Sequence, residues 1–562
     1  MCSYRNSDNH DFSNDNFEFS SGFVKFAEMS EPLPSITALK TEPEAVVRPK
    51  KLKEEKILIR VMTQDSVNTN PLSLIHDLRP DLEWEFIGCQ AQGKVILSFK
   101  MMLKIDKKKY SGEGKTKKLA KYAASKIALL DLFGITLPEA SEPTVKLPPK
   151  PVVMRREECM LLNQDLATRI SAEVLLKSKS VFERIPELKK WTVLASILIT
   201  RTDMPNWVDL ICITTGTKCV KGDSLSMTGG SIHDCHAEIL ARRCFVAYLF
   251  KQLKSLIDHN FNDKPDNILR VRDDGYGFKL KETHKVHLFI STAPCGDARV
   301  FSPKEELSGD LHPNRMSRGV LRAKIEGGEG TIPVRREYST LTWDGVVQGI
   351  QRVQFMSCSD KIALWNVVGL QGALLSHFIE PIYLESVILG SLFNYDHLVR
   401  AIQGRLNLNF ESDSLKKLSN FYHLNQCKVA KSSVKEYEQP RQITKAPNYA
   451  VNYIKNDFVP EVISCDTGKI HKEERLSRLC KRTMFENFRT LLGHSLSRLP
   501  TSTLGSTIPL VYREAKTSAM PFQTAKLAAV RAFNEQNLGD WIQVPTEVDL
   551  FESVRPSQPN IL

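Results

Sequence analysis

Two short stretches of the chain hold residues able to do chemistry. Asp234-Cys-His-Ala-Glu238 sets a His and a Glu two apart at the head of a helical pattern. Thr292-Ala-Pro-Cys-Gly-Asp297 sets a Cys just behind an apolar strand pattern. A zinc ion that does chemistry needs three protein ligands and one open position for water. A neighbouring carboxylate that is not a ligand must then move protons. His236 and Cys295 are two candidate ligands, and Glu238 is the candidate proton carrier. A single buried Cys or His is more often packing than ligation, so the inference rests on the ordered set.

His-x-Glu followed by Pro-Cys resembles the signature of zinc nucleobase deaminases, in which activated water attacks C4 of cytosine or C6 of adenine. In the small cytidine deaminases a second Cys follows three residues after the first. Here that position is Ala298. A Cys instead recurs at Cys358, in Ser357-Cys-Ser-Asp-Lys-Ile-Ala-Leu-Trp-Asn366. His-Ala-Glu, Pro-Cys-Gly-Asp-Ala-Arg and Ser-Cys-Ser-Asp-Lys-Ile-Ala, in that order, resemble the adenosine deaminases acting on RNA. That resemblance implies that His236, Cys295 and Cys358 hold Zn2+ and that Glu238 carries protons to the purine ring. It implies that Glu329, in Gly327-Gly-Glu-Gly-Thr331, fills the space left by a flipped base, and that Lys218 and Arg299 lie near the substrate strand.

The same resemblance implies a buried inositol hexakisphosphate held by Arg242, Arg243, Lys361, Lys481, Tyr512, Lys516, Lys526 and Trp541. A polyanion is buried only with near-complete charge pairing. Four positions depart from the family pattern. Leu364 stands for an Arg, Ala373 for a Ser, Phe522 for a Tyr and Val544 for a Lys. The cage is partly eroded, which implies weaker binding or a smaller, less charged anion.

The elements that must position these residues are legible in outline. The fold class is α/β (α+β): a small α-β-β-β-α unit followed by a large cytidine-deaminase-like α/β unit. Residues 1–69 are expected to be a disordered tail: 1–45 hold three basic residues against eight acidic ones, and Arg48-Pro-Lys-Lys-Leu-Lys53 is a basic run. Residues 70–134 form the small unit, 135–160 a proline-rich linker and 161–562 the deaminase unit. In the small unit Leu74, Ile75 and Leu78 share a helical face. Apolar stretches at Trp84–Ile87, Val95–Phe99 and Met101–Ile105 read as three strands, and Ser111–Gly114 as the turn into a second helix. In the deaminase unit, strands are expected over Trp191–Thr200, Val208–Thr215 and Val286–Ser291, and a helix from Cys235 to Leu253.

Between Lys100 and Lys126 ten lysines face two acidic residues. Lys117, Lys118 and Lys121 open a helix whose dipole adds positive potential at the same end. The arrangement resembles a double-stranded RNA-binding domain, which implies a duplex or structured RNA partner read by shape. Where that family has Gly-Pro-x-His between its first two strands, Cys89-Gln-Ala-Gln-Gly-Lys94 stands here. The second minor-groove contact is expected to be weakened.

Charge and composition bound the alternatives. Lys and Arg total 77 against 65 acidic residues, a net charge of +12 that suits a polyanionic partner. No apolar run of about 18 residues occurs, so no membrane span is expected. The first residues, MCSYRNSDNHDF, have no basic n-region or apolar core, so no secretory signal is expected. Twelve cysteines then suit a reducing compartment, and the basic run with the family resemblance favours the nucleus. Three functions stay open: an adenosine-to-inosine RNA editing enzyme, an RNA-binding scaffold that keeps the deaminase fold with little activity, and a nucleoside or tRNA deaminase. The last leaves the duplex-binding unit without a role.

Overall fold

The computed structural model describes residues 71–79, 82–92, 95–105, 108–114, 117–135, 160–185, 193–261, 266–300, 317–327, 330–334, 340–407, 415, 418, 421–437, 447–457, 459–473, 475–495 and 509–553. They fall into two units that are taken separately. The basic run at 48–53 and most of the proline-rich stretch lie outside the described residues.

In the first unit, α1 (Pro71–Leu78) is followed by β1 (Glu83–Gln92), β2 (Val95–Ile105), β3 (Lys108–Gly114) and α2 (Lys117–Phe133). The three strands form one antiparallel sheet in that order. Its core is Leu74, Ile75 and Leu78 from α1, Leu103 and Ile105 from β2, Tyr110 from β3, and Ala124, Ala128 and Leu129 from α2.

Two strand expectations are corrected here. Val95–Phe99 and Met101–Ile105 are one continuous strand, and the third strand is the lysine-rich Lys108–Gly114. Its alternation escapes a reading by hydrophobicity because its inward positions are Tyr110 and Gly112. Gly112 is there for proximity: a Cβ would sit 2.2 Å from the Ala124 nitrogen and 2.3 Å from the Ala120 carbonyl oxygen. The strand lies against the α2 backbone, which is why α2 presents alanines to it. Tyr110 adds a 2.6 Å hydrogen bond to Asp131.

The second unit is built on a mixed sheet. Its strands are β4 (Leu194–Arg201), β5 (Val208–Leu210), β6 (Cys212–Thr215), β7 (His284–Ile290), β8 (Leu384–Leu389), β9 (Lys428–Lys431), β10 (Tyr449–Ile454) and β11 (Glu461–Ser464). The order is β9-β8-β7-β4-β6-β10-β11, with β5 also on β4. β7, β8 and β9 run parallel, and the remaining pairs are antiparallel. The single strand expected over Val208–Thr215 is two, because Ile211 is an extra residue that donates to Ile197 and shifts the register against β4 by one.

Strand β4 is buried along nearly its whole length, as a strand covered on both faces must be. On one face lies α3 (Gln164–Phe182), contributing Ala167, Ile170 and Val174. On the other lies α4 (Ala237–Asp258), contributing Leu240, Ala241, Cys244 and Phe245. Helix α4 begins two residues later and ends five residues beyond the span read from sequence, since apolar positions continue through Leu256 and Ile257. A second apolar cluster gathers α5 (Cys358–Val368), α6 (Met520–Glu535) and a small sheet that includes Arg322–Ile325. No helix among the described residues is long and apolar enough to cross a membrane.

Candidate metal and active site

Three segments distant in sequence deliver the candidate ligands. His236 is the residue just before the first turn of α4, Cys295 follows β7 after a short turn, and Cys358 is the first residue of α5. Ligand atoms of His236, Cys295 and Cys358 all lie within 4.8 Å of one another. Two helix N-termini therefore meet there, and their dipoles favour thiolate over thiol. The turn after Cys295 needs its glycine: Gly296 has φ +109°, and a Cβ would sit 2.2 Å from the Ser357 Oγ.

The electrostatics divide the two thiols. A hydrogen bond with Cys358 and the nearby Lys324 and His236 hold Cys295 well below the usual thiol range. Burial and the charge on Cys295 push Cys358 up. A metal would take both as thiolates. Glu238 sits in the first turn of α4, is 2% exposed, and its carboxyl is raised by burial and by Cys295. Its Oε2 has no hydrogen-bond partner among the described residues. A buried carboxyl with one free oxygen and an elevated pKa beside three ligand atoms suits proton transfer.

Behind the group, Asp234 orients the imidazole. Its Oδ1 lies 2.9 Å from His236 Nδ1, and its Oδ2 is 2.5 Å from both Lys324 Nζ and Lys361 Nζ. Burial alone would raise the Asp234 carboxyl, but the two ammonium groups hold it well below the usual range. Lys324, 2% exposed, also reaches Cys358 Sγ at 3.4 Å. Such outer partners fix ligand orientation and metal affinity. Sequence reading missed Lys324. Its signal was a lysine amid buried residues, Leu321-Arg-Ala-Lys324. Cys219 was missed too; its Sγ lies 3.5 Å from Asp234 Oδ1, and Cys219, Asp234 and His236 form a second three-residue group.

The expected substrate-side residues are placed unevenly. Lys218 bonds Asn448, and its carbonyl accepts from the Cys235 amide, so it borders the His236 turn. Arg299 is exposed on the 3-10 turn just after Cys295. Glu329 lies outside the described residues.

Of the basic residues expected to form an anion cage, two converge on one carboxylate, while Arg243 donates to the Leu479 carbonyl and Arg242 lies over the Trp365 ring. Lys481 and Lys516 each bond Asp549 at 2.6 Å. Tyr512 lies 5.1 Å under the Lys516 ammonium and also feels Arg243 and Arg242. Burial and Lys516 push Lys526 down. Burial and Arg243 bring Arg242 down to about 10, and its Nε has no hydrogen-bond partner among the described residues. Burial is the largest cause that brings Lys481 to about 8. Cations crowded out of water around a single acid are short of negative charge, so the donor set fits a polyanion. Lys361 instead turns to Asp234. Trp541 packs on Phe533 at 6.2 Å. The four positions that depart from the family pattern fall together: Leu364, Ala373 and Phe522 belong to one apolar cluster, and Val544 and Trp541 pack against it.

In the first unit Lys117 Nζ lies 4.7 Å over the Phe86 ring and Lys121 Nζ 4.8 Å over Trp84. The side chain of Lys118 is outside the described residues.

Comparison with known proteins accords with this geometry. Residues 73–132 match the double-stranded RNA binding motif, and residues 212–545 match the adenosine-deaminase (editase) domain. The double-stranded RNA-specific editase Adar of Drosophila melanogaster is 40% identical over 483 residues, covering 86% of this chain and 68% of that protein. The double-stranded RNA-specific editase B2 of Mus musculus is 37% identical over 486 residues, covering 86% of this chain and 62% of its own length. The tRNA-specific adenosine deaminase 1 of Drosophila melanogaster is 31% identical over 247 residues, covering 38% of this chain and 53% of that protein. One double-stranded RNA binding motif followed by an adenosine-deaminase (editase) domain, matched across most of the chain, makes this protein a member of the RNA-editing adenosine deaminase family.

Proposed function

We propose that the protein converts adenosine to inosine in duplex RNA. The observation that carries this is the meeting of His236, Cys295 and Cys358 within 4.8 Å beside the buried Glu238, whose Oε2 has no partner among the described residues. One imidazole and two thiols suit zinc. When bound, zinc supplies an activated water that attacks C6 of a flipped adenine. Glu238 would take a proton from that water and return it to the purine ring, and the C6–N6 bond would then break with the amino group leaving as ammonia. Asp234, held by Lys324 and Lys361, keeps the His236 ring in place. Glu329 fills the vacated stack, and Lys218 and Arg299 flank the substrate strand. The test is inosine formation on a long perfect RNA duplex by purified protein in excess. Inosine establishes the activity.

A second reading is an RNA-binding protein whose deaminase fold works as a scaffold. It is favoured by the apolar cluster that holds Leu364, Ala373 and Phe522 and against which Val544 packs, the four positions departing from the family pattern. Absence of inosine, with zinc and duplex binding both measured, would select it. Under either reading the protein works in the nucleus.

Duplex binding through the first unit runs by phosphate charge. Lys117, Lys118 and Lys121 changed together to Ala will weaken binding to every duplex alike. The log–log salt slope will fall by about one for each phosphate that is no longer neutralised. A change of base preference in that mutant would argue against the phosphate role.

Arg242, Arg243, Lys481, Lys516, Lys526 and Tyr512 would hold inositol hexakisphosphate, or a smaller relative. That group supplies the negative charge that Asp549 alone does not. A lysine whose folded pKa is about 8, below its unfolded value of about 10.4, costs stability at every pH below 8. Anion-stripped protein will therefore gain stability as pH rises from about 8 towards 10.4. Protein loaded with inositol hexakisphosphate will lose that rise, because phosphates hold Lys481 charged. Thermal melts of both forms across this range decide it, and identical pH profiles would count against a buried anion.

A further inference from the structure

Each cysteine of the metal group precedes an aspartate by two residues, in Cys295-Gly-Asp297 and Cys358-Ser-Asp360. Both carboxylates are fully buried, and neither belongs to the metal group. Arg400 grips Asp297 through Nε at 2.8 Å and Nη2 at 3.1 Å. Arg405, 1% exposed, meets Asp360 with Nη1 2.7 Å from Oδ1. Gly319 ties the two pairs together: its N–H donates to Asp297 at 2.7 Å, and its carbonyl accepts from Arg405 at 3.3 Å. Ser359 joins the cysteine turns directly, since its amide and hydroxyl both donate to the Cys295 carbonyl at 2.9 Å.

Arg400 and Arg405 come from one helical segment, five residues apart. On an α-helix, residues three and four apart are neighbours, and residues five apart diverge. Here Arg400–Gly404 is a π turn, with the Arg405 amide bonded to the Arg400 carbonyl. That wider turn places residues five apart one above the other. It aligns both guanidinium groups with the two aspartates.

We propose that Arg400 and Arg405, aligned by this π turn, form a double clamp that sets the spacing of Cys295 and Cys358 as metal ligands. They are positioning residues that act through Asp297 and Asp360. The proposal rests on the reading of His236, Cys295 and Cys358 as zinc ligands. Release of a metal needs one ligand to swing away, and the Cys295 turn, anchored by the bidentate Arg400–Asp297 pair, cannot swing freely, while the Cys358 turn is held through the single Arg405–Asp360 ion pair.

The test uses the full-length protein with two readouts: the rate at which zinc passes to a chelator, and the absorption bands of the cobalt(II)-loaded protein, which report coordination geometry. Arg400→Gln is expected to release zinc about 10–100-fold faster and to alter the cobalt bands. Arg400→Lys will recover only part of this, because an ammonium cannot grip a carboxylate with two parallel bonds. Arg478→Gln serves as a control. It breaks half-buried contacts to Asp457 and Glu461 that touch neither cysteine turn. It is expected to lower the melting temperature with wild-type release and bands. Should Arg400→Gln fail to fold, Asp297→Asn and Arg400→Lys carry the same comparison. Wild-type release and wild-type bands in the folded Arg400 or Asp297 variants would overturn the clamp. Wild-type protein that takes up no metal would instead overturn the zinc assignment beneath it.

Discussion

Replacing Glu238 by Gln will leave a folded protein with wild-type metal content and inosine formation lowered by at least about 10³-fold. Glutamine keeps the volume of a side chain that is 2% exposed, so the packing of α4 against β4 and β6 is preserved. It also removes an acid that burial already disfavours in its charged form, so little stability is at stake. What is lost is a movable proton at a buried carboxyl beside the three ligand atoms, one that Asp234, held ionised by Lys324 and Lys361, does not replace. Inosine measured by nuclease digestion, with metal measured in the same preparation, checks both halves of the expectation. Editing by Glu238→Gln at the wild-type rate would take Glu238 out of the proton-transfer role.

Cys358→Ala will lose the metal and with it a large part of the stability of the deaminase unit. Cys358 is fully buried as the first residue of α5, and its sulfur is a partner of Lys324. Removing it takes away a ligand and leaves a buried ammonium with Asp234 as its remaining close anionic partner. A metal that binds only the folded state contributes about 4 kcal/mol when its free concentration is a thousandfold above Kd. The variant will therefore melt well below wild type in zinc. A chelator will lower the melting temperature of wild type but leave that of the variant unchanged. A variant that still binds zinc stoichiometrically would remove Cys358 from the ligand set.

How much of this is legible in the sequence follows from where each signal resides. The small unit is readable because its helices and sheet are local, though part of β3 reads as a turn. An edge strand with lysines facing outward and only Tyr110 and Gly112 facing inward carries no apolar alternation. The large sheet is readable strand by strand but not in its order, since β7 lies beside β4 in space with β5, β6 and α4 between them in sequence. Candidate ligands stand out because metal chemistry restricts them to few residue types, each set in a short motif. Lys324 does not, since a lysine in a strand is ordinary until Asp234, ninety residues earlier, is brought to 2.5 Å from it.

By itself, the sequence determined the two-unit plan, the basic character of α2 and the identity of the ligand and proton-transfer candidates. These are properties of residue type and short spacing. Tertiary structure alone decided that His236, Cys295 and Cys358 meet, that Lys324 and Lys361 share Asp234, and that Arg400 and Arg405 reach Asp297 and Asp360. Each of these depends on distances between segments tens to hundreds of residues apart, and only the packing of helices on the central sheet sets such distances. Leu364, Ala373, Phe522 and Val544 make the same point: scattered over 180 positions in the chain, they gather at a single apolar cluster once α5 and α6 are packed together.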